Sequence, residues 1–446
     1  LHHLVLAAVG RPLVLTSGNQ SDEPIAYTDD DAVDRLGPMV DGIVTHDRPI
    51  HIRCDDSVVR ARGDVTQVLR RSRGYAPEPM CLPIPASRAV LAVGAELKST
   101  VAVVKGATVV ASHHLGDLEH LATYRSFLQA VDHVCHLCGV TPEVVAHDLH
   151  PEYLSTKLAT ELDLPAVPVQ HHHAHVASCL VDHGRAGPVL GIAFDGLGYG
   201  TDGTWWGGEF LVADLVGCER VGHLAPMTLP GGAAAIREPW RMAVAWLLDS
   251  CGPAVAAELG GGLDGRAHTL VGLLQASRES MPVTTSVGRL FDAVGALVCG
   301  RSSVSYEGQA AIELEAAAAR IPPGGVAPYP MDPSSADGQL VMGATPMVAA
   351  AVADTIGGRP ASEIAAAFHE GIAVATVEAA ADLAMQRDLT TVVLTGGVFQ
   401  NARLSGLVEA GLDGHGLEVL VHRGIPPNDG GISIGQAAIA AARSAG

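Results

Sequence analysis

Between residues 88 and 446 one order of apolar runs occurs twice, and that duplication constrains the fold more than any other feature of the chain. RAVLAVG, STVAVVKG and ATVVASHH are three β-branched runs parted by Gly- or Lys-containing turns; a helix-like stretch, 117–138, and a strand candidate, EVVAH, follow. PVLGIAF, TWWGGEFLVADLV and RVGHLA repeat the three strands. After them come long Ala- and Leu-rich helical stretches, then TVVLTGG, a helix, LEVLVH and a last helix from about 429. The repeat predicts a duplicated α/β lobe with a cleft between the copies, where ligands gather at strand ends. The stretch 321–345, rich in Pro, Gly, Ser and Asp, reads as a surface loop.

A chain of 446 residues exceeds what one hydrophobic core serves, so a second domain is expected. Residues 1–75 alternate short apolar runs with polar loops, and APEPMCLPIPAS (76–87) then brings four prolines into twelve residues. Proline removes ladder donors and stiffens the chain, which marks an inter-domain linker. The formal charge of 28 − 48 = −20 argues against a nucleic-acid partner, while small phosphates stay possible through backbone N–H groups. Eight dispersed cysteines in a long chain imply reduced thiols and a cytoplasmic setting. No uncharged apolar run reaches the ~20 residues that span a bilayer, so no membrane partner is expected. The sequence begins with Leu, as expected of a piece of something longer.

The segment VQHHHAHVASCL (169–180) places four histidines within five positions after a short apolar strand. If a helix begins there, His171 and His175 are i and i+4, about 6 Å apart on one face, and two imidazoles so spaced can share a metal ion. His172 with His175, at i and i+3, is equally open, as is a polar first turn with incidental histidines.

IAFDGLGYGTDGTWWGGE places Asp195 at the end of an apolar strand, followed by six glycines among thirteen residues. Such a turn suits an anion or a cation at the strand's mouth, or else a plain tight hairpin. In PPNDGGISIGQAA, Asp429 lies at a Gly-rich helix start, placed to cap the helix or to reach a metal. Together His171, His175, Asp195 and Asp429 would form a site of N and O ligands suited to Zn²⁺, Fe²⁺ or Mn²⁺.

TVVLTGGVFQNARL is a strand, Gly396-Gly397 and a helix with Asn401 one turn in, a junction where adenine or phosphate can lie against backbone. Asp292 in GRLFDAVGAL and Glu307 in SYEGQAA are acids of the kind that accept ribose hydroxyls, or else cap or solvate. CHLC (135–138) has no second CxxC to complete a zinc knuckle, and its cysteines fit a helix covering a sheet.

These residues also carry a resemblance. LTSGN (15–19), RCDDSVVR (53–60) and LRRSRGYAP (69–77) resemble the closing half of a YrdC-like domain. HDLHPEYLSTKLA, VQHHHAHVAS, FDGLGYGTDGTWWGGE, GRLFDAV, SYEGQAA, LTGGVFQN and NDGGISIGQ resemble the TsaD-like domain of the actin/hexokinase/Hsp70 (ASKHA) superfamily. In this order the two are similar to the HypF family, carbamoyltransferases of [NiFe] hydrogenase maturation. The implied fold is α/β: a partial YrdC-like α/β domain (1–80), a Pro-rich linker (81–87) and a duplicated two-lobe ASKHA domain (88–446).

The resemblance also implies chemistry. Carbamoyl phosphate supplies the carbamoyl group, ATP with Mg activates it as carbamoyl-adenylate, and the TsaD-like domain passes it to the C-terminal cysteine of a HypE-like acceptor. The metal, Zn or Fe, falls on the same four residues, and the nucleotide on Asp202, Gly203, Gly207, Gly208, Asp292, Glu307, Gly396, Gly397 and Asn401. In the YrdC-like part Thr16, Ser17, Asn19 and Ser57 would meet the triphosphate or its metal, and Arg71 and Arg73 line the same cavity. No catalytic nucleophile is expected beyond the metal site, because the acceptor brings its own thiolate. Complete family members begin with an acylphosphatase-like domain, paired CxxC repeats and the front of the YrdC-like domain; Leu1 falls inside that last fold, so transfer from a supplied adenylate is the safer expectation. The rival readings are an O-carbamoyltransferase acting on a small-molecule hydroxyl and a nucleotide-binding fragment without turnover.

Overall fold

The computed structural model describes residues 2–20, 23–62 and 65–445. Two mixed sheets carry the duplicated region. The first runs in the order Met80–Cys81, Thr108–Ala111, Ala102–Lys105, Val90–Ala92, Val144–Asp148, Ala166–Val169. The longest path through the second is Asp332–Ala336, Gln339–Gly343, Cys218–Leu224, Trp205–Ala213, Val189–Tyr199, Thr391–Thr395, Glu418–Val421. From Thr108–Ala111 to Ala166–Val169 the pairings are antiparallel twice, then parallel twice. From Cys218–Leu224 to Glu418–Val421 the same succession recurs, so the duplicated pattern of apolar runs is a duplicated topology.

Two helices fill the space between the sheets. His171–Asp182 starts where Gln170 caps it, the side-chain oxygen accepting the His173 N–H at 2.8 Å. Its Val176, Ala177, Leu180 and Val181 are buried, and the helix lies on Val189–Tyr199 and Thr391–Thr395 of the second sheet. Ile432–Ala445 packs on that helix and on Val90–Ala92 and Ala102–Lys105 of the first sheet. One buried cluster therefore joins Val90 and Ala92 to Leu180, Val393 and Ile434. The two helices nearly touch backbone to backbone: a Cβ on Gly435 would sit 1.9 Å from the Ala174 carbonyl oxygen.

Three expectations change. Residues 321–345 are not simply a surface loop, because Asp332–Ala336 and Gln339–Gly343 form a hairpin whose second strand extends the sheet beside Cys218–Leu224. Its turn residues Asp337 and Gly338 both have positive φ, 50° and 78°, the backbone that an Asp-Gly hairpin turn requires. Asp195 lies within, not at the end of, an eleven-residue strand, Val189–Tyr199. The Pro-rich segment is laid along a sheet edge: Cys81 pairs with Thr108, and the Leu82 and Ala86 N–H groups donate to the carbonyls of Ala107 and Gly106.

Helix Ala361–Gln386 is long and apolar enough to cross a membrane, yet 78% of its most apolar window is buried in the protein, as in a core helix. Before Gln67 no described residue is buried, and Val14 and Val44 are 97% and 98% exposed. The hairpin Val58–Arg62/Val65–Arg70 nevertheless docks on the second lobe. Val68 N–H donates to Arg423 O at 2.8 Å, the Asn428 amide to Leu69 O at 3.0 Å, and Arg60 to the Gln400 carbonyl.

Candidate active site

The first turn of the His171–Asp182 helix, the middle of strand Val189–Tyr199 and the start of the last helix meet at one point between the lobes. His171 Nε2 lies 3.5 Å from Asp195 Oδ2 and 3.8 Å from Asp429 Oδ1; His175 Nε2 lies 3.7 Å from each. One ligand atom from each of the four residues falls within 4.8 Å of the others. Four ligands about 2.0–2.2 Å from a shared ion would be separated by such distances. Neither Nε2 has a hydrogen-bond partner, and both are buried, a costly state for a polar nitrogen unless a cation takes its lone pair. The donor set therefore fits a divalent metal.

The surroundings aim these atoms. Asp148, at the end of the first sheet's Val144–Asp148 strand, holds His171 Nδ1 at 2.7 Å and so turns Nε2 to the cluster. Gly397 N–H donates to Asp195 Oδ1 at 2.8 Å, leaving Oδ2 for the histidines. Asn428, not Asp429, caps the Asp429–Gly431 turn, accepting the Gly430 N–H at 3.0 Å, so the Asp429 carboxylate stays free. Burial opposes the charged His171 ring, but Asp148, Asp195 and Asp429 outweigh it and raise its pKa well above the ordinary value. Burial likewise works against the Asp195 and Asp429 carboxylates, and their contacts with His171 and His175 hold both below the usual range. Of the alternatives left by the sequence, His172 points away, its ring beside Gln170 and Trp206, and His173 binds Asp214 O at 2.7 Å.

Two cavities reach the cluster and another adjoins the first of them. The first, about 260 Å³, is walled by Asp195, Asp292, Glu307, Gly397 and Asn401 among others. The second, about 530 Å³, lies under the N-terminal hairpin and reaches Arg71, His114 and Asn428. The first two are neighbours, with Leu69, Lys98, Glu307, Gln400 and Asn428 in the walls of both. The third, about 330 Å³, reaches Asp195 and Asp429 from the side of Tyr153 and Trp205.

The expected nucleotide residues divide. Asp292, Glu307, Gly397 and Asn401 line the first cavity; Asn401 also caps helix Ala402–Gly414 and donates to His369 Nε2 at 2.8 Å. Asp202, Gly203, Gly207, Gly208 and Gly396 line none of the three. Asp202 ties the strand turn together through Thr204 and Trp206 Nε1. Gly207 and Gly208 let a neighbouring segment cross closely, since Cβ atoms there would lie 2.8 Å from Asp195 O and 2.4 Å from Thr285 O. Gly396 does the same against Phe194 O, at 2.2 Å. Of the residues expected in the N-terminal part only Arg71 reaches a cavity; Thr16, Ser17, Asn19, Ser57 and Arg73 do not, Ser57 donating to Arg73 O at 2.9 Å and Arg73 to Cys54 O at 2.9 Å.

Residue-level reading missed Asp148, Lys98 and Arg289. Asp148 sits inside the HDLHPEY segment, yet no local spacing ties it to His171 across 23 residues. Lys98 ion-pairs with Glu307 at the wall shared by the first two cavities; burial works against its ammonium, but the charges of Glu307 and Asp429 raise its pKa overall.

Residues 191–436 match the family model described as carbamoyltransferase, Kae1-like domain, second subdomain; residues 85–182 match the HypF Kae1-like domain, and 1–72 the Sua5/YciO/YrdC family, described as telomere recombination. Carbamoyltransferase HypF2 of Cupriavidus necator is 38% identical over 97% of this chain and 56% of its own length. Carbamoyltransferase HypF of Rhizobium leguminosarum is 40% identical over 99% and 57%. This chain thus spans little more than half the length of those relatives. A crystal structure of full-length HypF in the phosphate- and nucleotide-bound form superposes with a TM-score of 0.93 at 36% identity, over 99% of this chain and 69% of that one. That of T. kodakarensis HypF gives 0.87 at 29%, over 96% and 56%.

Proposed function

The chain belongs to the HypF family, and from that membership we propose that it is the carbamoyl-transferring portion of a [NiFe] hydrogenase maturation enzyme. The donor is carbamoyl-adenylate, made from carbamoyl phosphate and ATP with Mg, and the acceptor is the C-terminal cysteine of a HypE-like protein. Residues 1–80 belong to the adenylate-forming YrdC-like domain, 81–87 link it, and 88–446 carry out transfer. All eight cysteines are free, which suits a reducing, cytoplasmic setting.

The acceptor sulfur forms a bond to the carbamoyl carbon, the carbon–oxygen bond to the phosphate breaks with its electron pair leaving on AMP, and the thiol proton passes to solvent. His171, His175, Asp195 and Asp429 would hold a divalent cation, Zn or Fe, which when bound stabilises negative charge on the departing phosphate. Gly397, Asn401, Asp292 and Glu307 would seat the nucleotide, and Lys98 stands where its phosphates would pass from the second cavity to the first.

The observation that carries the reading is the convergence of two imidazole nitrogens and two carboxylate oxygens beside a cavity that shares five wall residues with the one beneath the YrdC-like part. Incubating the chain with synthetic carbamoyl-adenylate and a cysteine-terminated peptide, then weighing the peptide, tests it. A thiocarboxamide is expected; an unmodified peptide with loaded metal overturns the proposal.

A further inference from the structure

The third cavity has no role in the reading so far. It reaches the cluster from the face opposite the Gly397–Asn401 wall, past Tyr153, Trp205, Leu229 and Ile236. It shares with the first cavity only Asp195, Gly196, Arg289, Glu307 and Asp429. Two reactants that meet at one carbonyl need two approaches, and here two cavities meet at one set of residues.

Arg289 is the unusual member of that set. It is 4% exposed, and its Nε and Nη1 have no hydrogen-bond partner. Asp292 Oδ2 lies 3.0 Å from Nη1 but is not aligned for a hydrogen bond. Burial lifts the Asp292 carboxyl to about 6, against the opposing pull of Arg289, so near neutrality it stays mostly ionised and offsets part of the guanidinium charge, while Nε is left without a partner. A nearby cation on the wall of the first cavity, Lys98, is already paired with Glu307. A guanidinium with idle donors, buried where two cavities join, asks for an anion. Space lies beside Gly196: a Cβ there would make only ordinary van der Waals contacts, 3.7 Å from Arg289 Nη2 and 3.9 Å from Glu307 Oε1.

We propose that Arg289 binds the terminal α-carboxylate of the acceptor, and that the third cavity is the path by which the acceptor's chain end enters. The proposal rests on the transferase reading and adds a recognition rule to it. A C-terminal cysteine carries its thiol and its free carboxylate on the same α-carbon. A carboxylate paired with the guanidinium fork is held in a fixed orientation, which keeps the sulfur within one residue's reach of the cluster. An internal cysteine offers no such handle, so Arg289 selects chain ends.

The test uses the full chain and two peptides identical except for a free acid or an amide at the C-terminus, with serine replacing the terminal cysteine so that no chemistry intervenes. Fluorescence anisotropy should give about 10- to 100-fold weaker binding of the amide, the range expected for charged hydrogen bonds. Arg289→Gln should weaken the acid peptide by the same factor and leave the amide peptide unchanged, and Arg289→Lys should restore part of the loss. Equal binding of acid and amide by the unaltered chain, binding of neither, or a loss confined to AMP in Arg289→Gln overturns the subsite. Transfer to the cysteine-terminated peptides, run in parallel, separates the two claims. Transfer without acid preference sinks the subsite alone, whereas acid-selective binding without transfer supports the subsite and sinks the transferase reading.

Discussion

Asp148 Oδ2 lies 2.7 Å from His171 Nδ1, both groups fully buried, so a carboxylate from the first sheet sets the ring of a histidine that faces residues of the second. A partner of this kind raises the basicity of the opposite nitrogen and fixes its direction. Asp148→Asn is therefore expected to lower divalent-metal affinity by about 10- to 100-fold. Competition against a chromophoric chelator measures it, and an unchanged affinity would remove Asp148 from the site.

The metal should also report on folding. A ligand that binds only the folded chain stabilises it by about 2.7 kcal/mol at a hundred times its dissociation constant. After treatment with a chelator, re-adding Zn²⁺ or Fe²⁺ should raise the melting temperature of the unaltered chain and leave that of His175→Ala unmoved. An equal rise in both would place the ion elsewhere.

Gly435 sets how closely the two inter-sheet helices approach, and that approach delivers Asp429 to the histidines. A Cβ 1.9 Å from Ala174 O must push the helices apart, so Gly435→Ala should cost about 1–3 kcal/mol in urea denaturation and weaken metal binding. Gly406, within helix Ala402–Gly414, has nothing within 4 Å of its Cβ position, and Gly406→Ala should be neutral or stabilising by up to about 1 kcal/mol.

Acid should unfold the chain through its neutral buried histidines. Burial depresses His369 and His173 to about 4, and His114 and His422 to about 3. For a base whose folded pKa lies below its unfolded value of 6.5, the unfolded state takes up the proton first. Stability is thus kept above pH 6.5 and lost as pH falls toward 4. His369 Nδ1 faces Ala365 O and its Nε2 accepts from Asn401, an arrangement that holds the ring neutral. His369→Gln should flatten the pH dependence between 6 and 4.5 by about 1.4 kcal/mol per pH unit, one proton's worth. Urea midpoints across that range measure the slope, and an unaltered slope would refute the assignment.

Lys98 lines both of the first two cavities. If adenylate charge passes there, Lys98→Met should slow transfer from supplied carbamoyl-adenylate by about 100-fold, the scale of losing one preorganised electrostatic contact. The thermal transition should move little, because the Glu307 partner is 44% exposed. Rates within a few-fold of the unaltered chain would leave Lys98 without a part in the reaction.

Much of this was legible along the chain. Strand and helix order, and the placing of His175 with an earlier histidine on one helix face, follow from side-chain period and one helical turn, which are local properties of the backbone. Their settings after an apolar strand and at a Gly-rich helix start put Asp195 and Asp429 in the same set, and the family motifs fall on the same four. Local spacing could not choose between His172 and His171, because both share a helix face with His175 and only the packing against strand Val189–Tyr199 turns one of them inward. Nor could it separate Gly397, which donates to Asp195, from Gly207, Gly208 and Gly396, whose missing side chains serve close crossings of backbone. Asp148, Lys98 and Arg289 come to the site from three distant segments. Their meeting depends on how two sheets and two helices close on one another, and that is settled by burial summed over the whole core.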